Sequence, residues 1–504
     1  MDRRLFLSLA LAAASCARKA PFSVEEVDIA TLGEALRQGQ VTVRGLVEAY
    51  LARIESIDRG GPALNSVIEV NPDALAIADS LDAELREKRA RGPLHGIPIL
   101  IKDNIDTADG MKTTAGSLAL LDAPTPAQDA PIVTRLRAAG AVILGKTNLS
   151  EWANIRSTRS TSGWSGRGGL TRNPYALDRN PSGSSSGSGA AAAASLCAAA
   201  IGTETDGSVV SPSSVCGLVG IKPTVGLLSG DGIIPISHSQ DTAGPMARTV
   251  RDAVLVLSGM HPEGRDYSAF LDASALRGLR LGVARGHMGR NRHVTGVAES
   301  CFETLREQGA VLIDPFDMSG LDFSGERDTM LYELKADMAA YLKRRGGAMQ
   351  SLEDLIAFNE ANADREMPWF GQEYFENSAK TGGLSEKAYV QARESVGKVT
   401  REFTALLDRE KIDAVVCPTN TPAALTDLVI GNNSGQGCST PAAVTGFPHI
   451  TVPGGFVHGL PVGFSFFGRA NDEGRLIGMA YAFEQAATAR RPPQYFSRTA
   501  PHPA

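Results

Sequence analysis

The chain has 504 residues, of which 43% are hydrophobic and 21% are charged, a balance that is typical of a globular protein. Its formal net charge is −6 and no basic run follows the first few residues, which argues against a nucleic-acid partner. None of the six cysteines forms a CxxC pair or lies near a histidine cluster, so we expect no zinc site, and no cofactor is indicated.

The first 20 residues have the pattern of an export signal. Arg3 and Arg4 precede a short apolar run, which is followed by small residues around Cys16. The string DRRLFL resembles a twin-arginine signal, and AASC resembles a lipoprotein cleavage box in which Cys16 is lipidated. We therefore expect an exported protein that is periplasmic or, through Cys16, lipid-anchored to the cell envelope; simple cleavage nearby is the alternative.

Helical and strand patterns then alternate. Residues 24–57 and 72–90 have helical spacing, and the apolar run that ends in Lys102 predicts a buried strand with a polar tip. A helix over 131–139 and a strand over 141–145 follow. This alternation predicts an α/β fold.

The middle of the chain changes in texture. Residues 157–189 are rich in Ser, Gly, Arg and Asn and run directly into a compact alanine-rich segment, which predicts a loop that lines a cleft rather than a linker. Residues 262–410 are predicted to be mostly helical. Short apolar strands return near the C-terminus, so we expect one sheet built from both ends of the chain. These strands are predicted over 413–419, 448–455 and 460–468.

Two motif matches carry little chemical logic. Residues 140–147 fit the P-loop pattern GxxxxGK[ST], but their middle residues AVIL are themselves a strand and not a phosphate-binding turn. Residues 183–187 fit the GxSxG elbow of α/β-hydrolases, with Ser185 as nucleophile and His449 or His458 as base. No apolar strand precedes this match, so the hydrolase interpretation is weakly supported.

A third pattern has a better chemical basis. Asp206 and Gly207 favour a tight turn that presents Ser208, and consecutive N–H groups at such a turn can bind an oxyanion. A serine nucleophile needs a base, and burial can lower the pKa of a lysine such as Lys102 by up to roughly 3–5 units. Residue types alone leave two alternatives open, a solvated turn at Ser208 and an ion pair between Lys102 and Asp103.

Four segments together resemble the amidase signature family. The resemblance covers about residues 24–490, and several motifs in the same order are far more specific than any one of them. The segments are GIPILIKDNI, SGSSSGSGAAAAASL, GTETDGSVVSPSSVCGLVGIKPTVG and SQDTAGPMARTV.

The resemblance implies roles for individual residues. Ser208 would be the nucleophile, Ser184 the bridging serine and Lys102 the base, with a cis peptide bond between Gly183 and Ser184. Further residues are assigned on the same basis. They are the oxyanion-hole amides of Thr205, Asp206, Gly207 and Ser208, and the supporting residues Gly183, Ser185, Asp241 and Arg248, for the last two of which a structural role is equally expected. This sequence departs from many members in having Ser182 and Ser186 where paired glycines are common.

The resemblance also implies the fold and the activity. We expect a large mixed β-sheet with helices on both faces, in a single domain over 24–500 with a helical substrate region at about 262–410. The activity would be cofactor-free hydrolysis of a small-molecule or peptide amide through an acyl-enzyme. The motifs look closest to bacterial peptide amidases, which remove C-terminal amides. A broad-specificity amidase for aliphatic amides, aryl amides or anilides, an esterase of the α/β-hydrolase type and a non-catalytic lipoprotein are the alternatives.

Overall fold

A computed structural model describes residues 22–432 and 435–499, and the predictions for the export segment and Cys16 lie outside this range. Thirteen strands are present in the described residues. They are β1 (Val67–Val70), β2 (Pro98–Lys102), β3 (Val142–Thr147), β4 (Trp164–Ser165), β5 (Gly169–Leu170), β6 (Ala199–Glu204), β7 (Val219–Lys222), β8 (Thr242–Ala247), β9 (Arg280–Val283), β10 (Val311–Ile313), β11 (Ala414–Pro418), β12 (His449–Val457) and β13 (Leu460–Phe467).

Fifteen α-helices connect and cover these strands in the same residues. They are α1 (Ile29–Arg37), α2 (Val43–Arg53), α3 (Ala74–Arg86), α4 (Pro131–Ala138), α5 (Ser186–Ala193), α6 (Val210–Val215), α7 (Val250–Met260), α8 (Arg292–Glu307), α9 (Gly325–Arg345), α10 (Leu352–Ala361), α11 (Ala363–Glu366), α12 (Glu373–Ala379), α13 (Lys387–Arg409), α14 (Thr440–Thr445) and α15 (Glu473–Ala487). None of these helices has the length and apolar character that crossing a bilayer requires.

Eleven of the strands form one mixed sheet, in the order β1-β3-β2-β6-β8-β7-β12-β13-β11-β9-β10. Strand β2 runs parallel to both β3 and β6, whereas β8 runs antiparallel to β6. Every residue of β2, β3 and β6 is buried, and because successive side chains point to opposite faces, helices must cover both faces. The predicted α/β fold and the sheet built from both ends of the chain are confirmed.

The segment 262–410 differs from the prediction in one respect. It contains β9 and β10, which pair in parallel at one edge of the sheet, so only its part from α9 onward is helical throughout. These strands are only four and three residues long, which is too short for an alternation of apolar and polar residues to be recognised in the sequence. The helices α9, α10 and α12 form a second apolar core with the segment around Trp152, whose ring packs edge-on against Phe375.

Helix α5 brings the serine-rich loop close to the sheet because its residues are small. All eight residues of α5 are buried, and a Cβ atom at Gly187 would lie 2.3 Å from the carbonyl oxygen of Ser66. Only glycine fits such an approach. The predicted cleft-lining loop is therefore held against Ser66 and Asn148, which adjoin the start of β1 and the end of β3.

Candidate active site

Lys102 is the last residue of β2 and is completely buried. Its Nζ lies 2.8 Å from Ser184 Oγ, 2.8 Å from Thr203 Oγ1 and 3.2 Å from the Thr203 carbonyl oxygen. Because β2 and β6 are parallel with Ile101 opposite Ile201, Lys102 and Thr203 meet at the same edge of the sheet. The alternative ion pair of Lys102 with Asp103 is not formed, since Asp103 bonds to Thr114 and Arg167 instead.

Burial also sets the protonation state of Lys102. Removal from water lowers its pKa from 10.5 to about 7, against the opposing influence of Asp241 and Glu204. A neutral amine has two N–H donors and one lone pair. Nζ is placed to donate to Ser184 Oγ and to both oxygens of Thr203, which are three partners for two N–H groups, so a neutral Lys102 has its lone pair free for one of the two hydroxyls. The geometry is that of a base in contact with a serine hydroxyl.

Ser184 is fully buried in the loop that leads into α5, and the peptide bond between Gly183 and Ser184 is cis. The N–H of Ser150 donates to the Ser184 carbonyl oxygen over 3.0 Å. The neighbouring Ser185 N–H donates to the carbonyl oxygen of Ser208 over 3.2 Å, which places the serine loop beside the turn 205–208. Two of the three expected triad residues thus make direct contact, and the third lies next to them in the fold.

The turn 205–208 leaves its amides unused. None of the N–H groups of Thr205, Asp206, Gly207 and Ser208 donates to another residue in the part of the chain that the structure describes. Gly207 has φ +78°, a conformation that glycine adopts without strain. The Ser208 hydroxyl likewise has no hydrogen-bond partner among the described residues, so this hydroxyl and the four amides all remain available to a bound molecule.

Side chains of neighbouring elements fix this turn. Glu204 accepts from the N–H groups of Val209 (2.7 Å) and Val210 (3.0 Å) and so ties the end of β6 to the start of α6. Thr205 Oγ1 donates to Asp241 over 2.6 Å. Burial raises the pKa of Asp241 to about 6, and this carboxyl also accepts from the amides of Ile236 and Ser237. Asp241 thus supports the turn from behind.

Arg248 lies away from the triad. Its guanidinium donates to the carbonyl oxygens of Ala192, Cys197 and Val27, at the opposite end of α5 from Ser184. The residue follows β8, whose last residue pairs with the first residue of β6, whereas the site lies at the other end of β6. Its role is to hold chain segments together.

The α/β-hydrolase interpretation of Ser185 is not supported. The Ser185 hydroxyl donates to the Thr203 carbonyl oxygen (3.1 Å) and accepts from the Thr203 N–H, so it is engaged with the backbone of β6. His449 bonds to Ser465, and His458 packs against His293. Neither histidine is positioned as a base for Ser185. Residues 140–147 form β3 and the turn before it, which likewise excludes a P-loop at that place.

Sequence reasoning missed several residues of the site. These residues are Thr203, Glu204 and Asn104. Asn104 Nδ2 donates to Thr203 Oγ1 over 3.0 Å, which adds Asn104 to the contacts around Lys102. Thr203 and Glu204 immediately precede the recognised turn, and Asn104 stands two residues after Lys102. Their polar character at the ends of apolar strands was the signal that could have identified them.

One group of residues that the sequence did not connect could resemble a metal site. His238, Glu333 and Asp337 lie within ligand distance of one another. However, His238 Nδ1 lies 2.9 Å from Asp337 and Nε2 lies 3.4 Å from Glu333, so both ring nitrogens already contact carboxylates. His238 is thus held by two carboxylate side chains of α9.

A cavity of about 270 Å³ adjoins the serine loop. Its wall includes Ser182 and Gly183, which directly precede Ser184, and Ser211 of α6. Amide side chains are prominent among the other lining residues. They are Asn154, Asn180, Asn420 and Asn432. Most polar atoms of these amides are already bonded within the protein, to Ser162, Ser182, Ser211 and Ser214. Asn154 Oδ1 has no partner among the described residues and can accept from a bound molecule.

Comparison with known proteins places this geometry among related enzymes. A family model described as Amidase matches residues 45–477. The chain is 39% identical to a probable amidase of Arabidopsis thaliana, over 94% of this chain and 93% of that protein. It is 32% identical to a glutamyl-tRNA(Gln) amidotransferase component of Alkalilimnicola ehrlichii, over 94% of this chain and 100% of that protein. The crystal structure of the peptide amidase from Stenotrophomonas maltophilia superposes with a TM-score of 0.90 at 47% identity, covering 94% of this chain and 100% of that chain.

Proposed function

The chain belongs to the amidase family and is an amide-hydrolysing enzyme, and on that premise we propose that it releases ammonia from the C-terminal carboxamide of peptides through a Ser208–Ser184–Lys102 triad. The observation that carries the triad is the set of three contacts at Lys102 Nζ. These are three partners for the two N–H groups of a neutral amine, so its lone pair can accept the proton of Ser184 Oγ, 2.8 Å away.

In the proposed reaction, Lys102 accepts the proton of Ser184, and Ser184 accepts the proton of Ser208. Ser208 Oγ attacks the carboxamide carbon, and the N–H groups of 205–208 stabilise the oxyanion. The C–N bond then breaks, and the proton returns through Ser184 to the departing ammonia. Water repeats the relay on the ester of Ser208, releasing the carboxylic acid and restoring the hydroxyl.

The cavity beside Gly183 supports a peptide as the acyl part. Asn154 Oδ1 in its wall has no hydrogen-bond partner among the described residues and can accept from a peptide N–H group. Leu425 also lines the cavity and is 56% exposed, so it can contact an apolar substrate side chain. The peptide amidase from Stenotrophomonas maltophilia, which shares this fold, acts on peptides as its name states.

A substrate panel tests the proposal. Ammonia release is measured from N-acetylated dipeptide amides, aliphatic amides and aryl amides, and amine release from anilides, with each peptide also supplied as the free acid. We expect the largest kcat/KM for peptide amides, with equimolar ammonia and peptide acid. Equal or higher values for simple aliphatic or aryl amides would overturn the peptide assignment and favour the broad-specificity amidase.

The triad is tested separately from the substrate. Ser208→Ala and Ser184→Ala should each abolish ammonia release, and Ser188→Ala serves as the matched serine control because its hydroxyl bonds to Ile201 and Thr147, away from Lys102. A short incubation with a slowly released peptide aryl ester should trap an acyl group on Ser208, detected by peptide mass spectrometry. An acyl group on another residue would overturn the mechanism.

We also propose that the enzyme is exported. The support is the ordered pattern of Arg3, Arg4, an apolar run and Cys16 in the first 20 residues. Cell fractionation of the full chain should find it in the envelope, and Arg3→Lys with Arg4→Lys should retain it in the cytoplasm if the twin-arginine route is used. Radiolabelled palmitate should enter the wild type and not Cys16→Ser; a cytoplasmic, unlabelled wild type would refute export and lipidation.

A further inference from the structure

A second carboxyl group reaches the oxyanion turn from the helical region. Glu326 stands in the first turn of α9 and contacts the side chain of Asp206, the second residue of the turn. Gln240 Nε2 donates to Glu326 Oε1 over 2.9 Å. On the other side, Thr440 Oγ1 at the start of α14 donates to Asp206 Oδ2 over 2.8 Å. Two separate segments, at the starts of α9 and α14, thus converge on the side chain of Asp206, and Gln240 holds the first of them.

The contact between the two carboxyl groups requires a proton. Asp206 Oδ1 is buried, and no N–H or O–H group of the described residues donates to it. Two ionised carboxylates in contact repel each other, and a buried carboxylate oxygen without a donor is costly. One proton held between Glu326 and Asp206 removes the repulsion and supplies the missing donor. Gln240 orients Glu326 for this bond.

We propose that Glu326 is a positioning residue of the amidase reaction, which in its protonated form donates a hydrogen bond to Asp206 and thereby holds the oxyanion turn in place. This inference rests on the proposed role of the amides 205–208. The bond from Glu326 and the bond from Thr440 fix both carboxylate oxygens of Asp206, so the backbone of the turn cannot rotate. Ionisation of Glu326 replaces the first bond with repulsion and loosens the turn.

The protonation state that this role needs is present at neutral pH. Burial and the neighbouring Asp206 raise the pKa of Glu326 to about 8. The raised value means that the bond is intact below about pH 8 and is lost as the pH rises through that value. Lys222 on β7 is the charged group that interacts with Asp206, and Glu204 on β6 interacts with Lys222 in turn. Two more lie beside residues that adjoin the pair, since Asp241 accepts from Thr205 and Arg393 on α13 donates to Ser239.

The test compares two substitutions of Glu326 with a control on the same helix turn. Glu326→Gln keeps a donor at every pH, whereas Glu326→Ala removes it. Asp328→Asn removes an exposed acidic residue of the same turn of α9 and controls for the charge of the helix end. kcat and KM are measured from pH 6 to 10 with an N-acetylated peptide amide, which itself does not titrate in this range.

We expect the wild type and Asp328→Asn to lose kcat above about pH 8. Glu326→Gln should keep the wild-type kcat at pH 7, and its kcat should not decline at higher pH. Glu326→Ala should lower kcat at pH 7 by about 10- to 100-fold with little change in KM, because a small displacement of the turn is enough to slow the reaction. Since burial also lowers the pKa of Lys222 to about 8, a decline that persists in Glu326→Gln belongs to that lysine and overturns the proposal.

Equal kcat values for Glu326→Gln and Glu326→Ala would also overturn the proposed role of Glu326. Failure of the proposed function is recognised independently, because Ser208→Ala would then keep its activity whatever residue stands at position 326. Correct folding of each variant is checked by its thermal unfolding midpoint.

Discussion

Lowering the pH should switch this enzyme off by protonating Lys102, which the mechanism needs in its neutral form. With a pKa of about 7, half of the lysine is neutral at about pH 7, and only about 1% at about pH 5. We therefore expect kcat/KM to fall by about 100-fold between the plateau and about pH 5, with a slope of one decade per pH unit. A lysine with the ordinary pKa of 10.5 would be only about 0.03% neutral at about pH 7.

The magnitude follows from the burial of Lys102. The shift from 10.5 to about 7 corresponds to about 5 kcal/mol of destabilisation of the ammonium form. The same buried position holds Nζ 2.8 Å from Ser184 Oγ, so the pKa and the contact that the proposed relay needs have one origin.

The assay is a fixed-time ammonia determination with an N-acetylated peptide amide, so that neither the substrate nor a coupling enzyme titrates. Lys146 provides a matched control, since it is equally buried and burial lowers its pKa to about 8, but it bonds to Ile105 and Thr113, away from the serines. Folded Lys146→Met should keep the acid limb unchanged. A wild-type profile that stays flat from about pH 8 to 5, or an acid limb with its midpoint above 9, would refute the role of Lys102.

Four further outcomes are expected. Ser208→Ala should lose at least about 1,000-fold in kcat, whereas Ser185→Ala should keep most of it; the reverse order would restore the hydrolase interpretation. Thr203→Val removes one partner of Lys102 Nζ and should lower kcat about tenfold while shifting the acid limb; an unchanged profile would contradict the anchoring role. The melting temperature of Lys102→Met should exceed that of the wild type by a margin that grows as the pH falls from about 10 to 7. Over this range the unfolded wild type binds a proton at Lys102 that the folded state does not bind, which destabilises the folded wild type. A constant difference in melting temperature would argue against a lowered pKa. Cys16→Ser should release the protein from the membrane fraction if Cys16 carries the lipid.

Much of the site could be predicted from residues that are close together in the chain. The apolar run before Lys102 indicated a buried strand, and the Asp206–Gly207 pair indicated a turn that presents Ser208. Both signals are local, because strand burial and turn geometry are encoded within a few residues. The choice of Ser184 among four neighbouring serines came from the family pattern, since their local sequence is almost the same.

Other features depend on packing between distant segments. Arg248 belongs to a conspicuous motif, but the sheet carries it to the far end of β6, where it bonds to carbonyl oxygens. The strands β9 and β10 are too short to show a period and are recognisable only by their pairing at the sheet edge. A sequence pattern reports neighbours along the chain, whereas these roles come from neighbours across the sheet.

The sequence by itself determined the chemistry that is available, namely a lysine at a strand end, a serine loop and a turn with unused amides. Only the tertiary structure decided how these groups work. It buried Lys102 against Thr203, which lowers the pKa of the lysine, and it brought Glu326 from α9 to Asp206. Desolvation and contacts between carboxyl groups depend on the whole surrounding protein, because they are set by which distant segments exclude water from a given side chain.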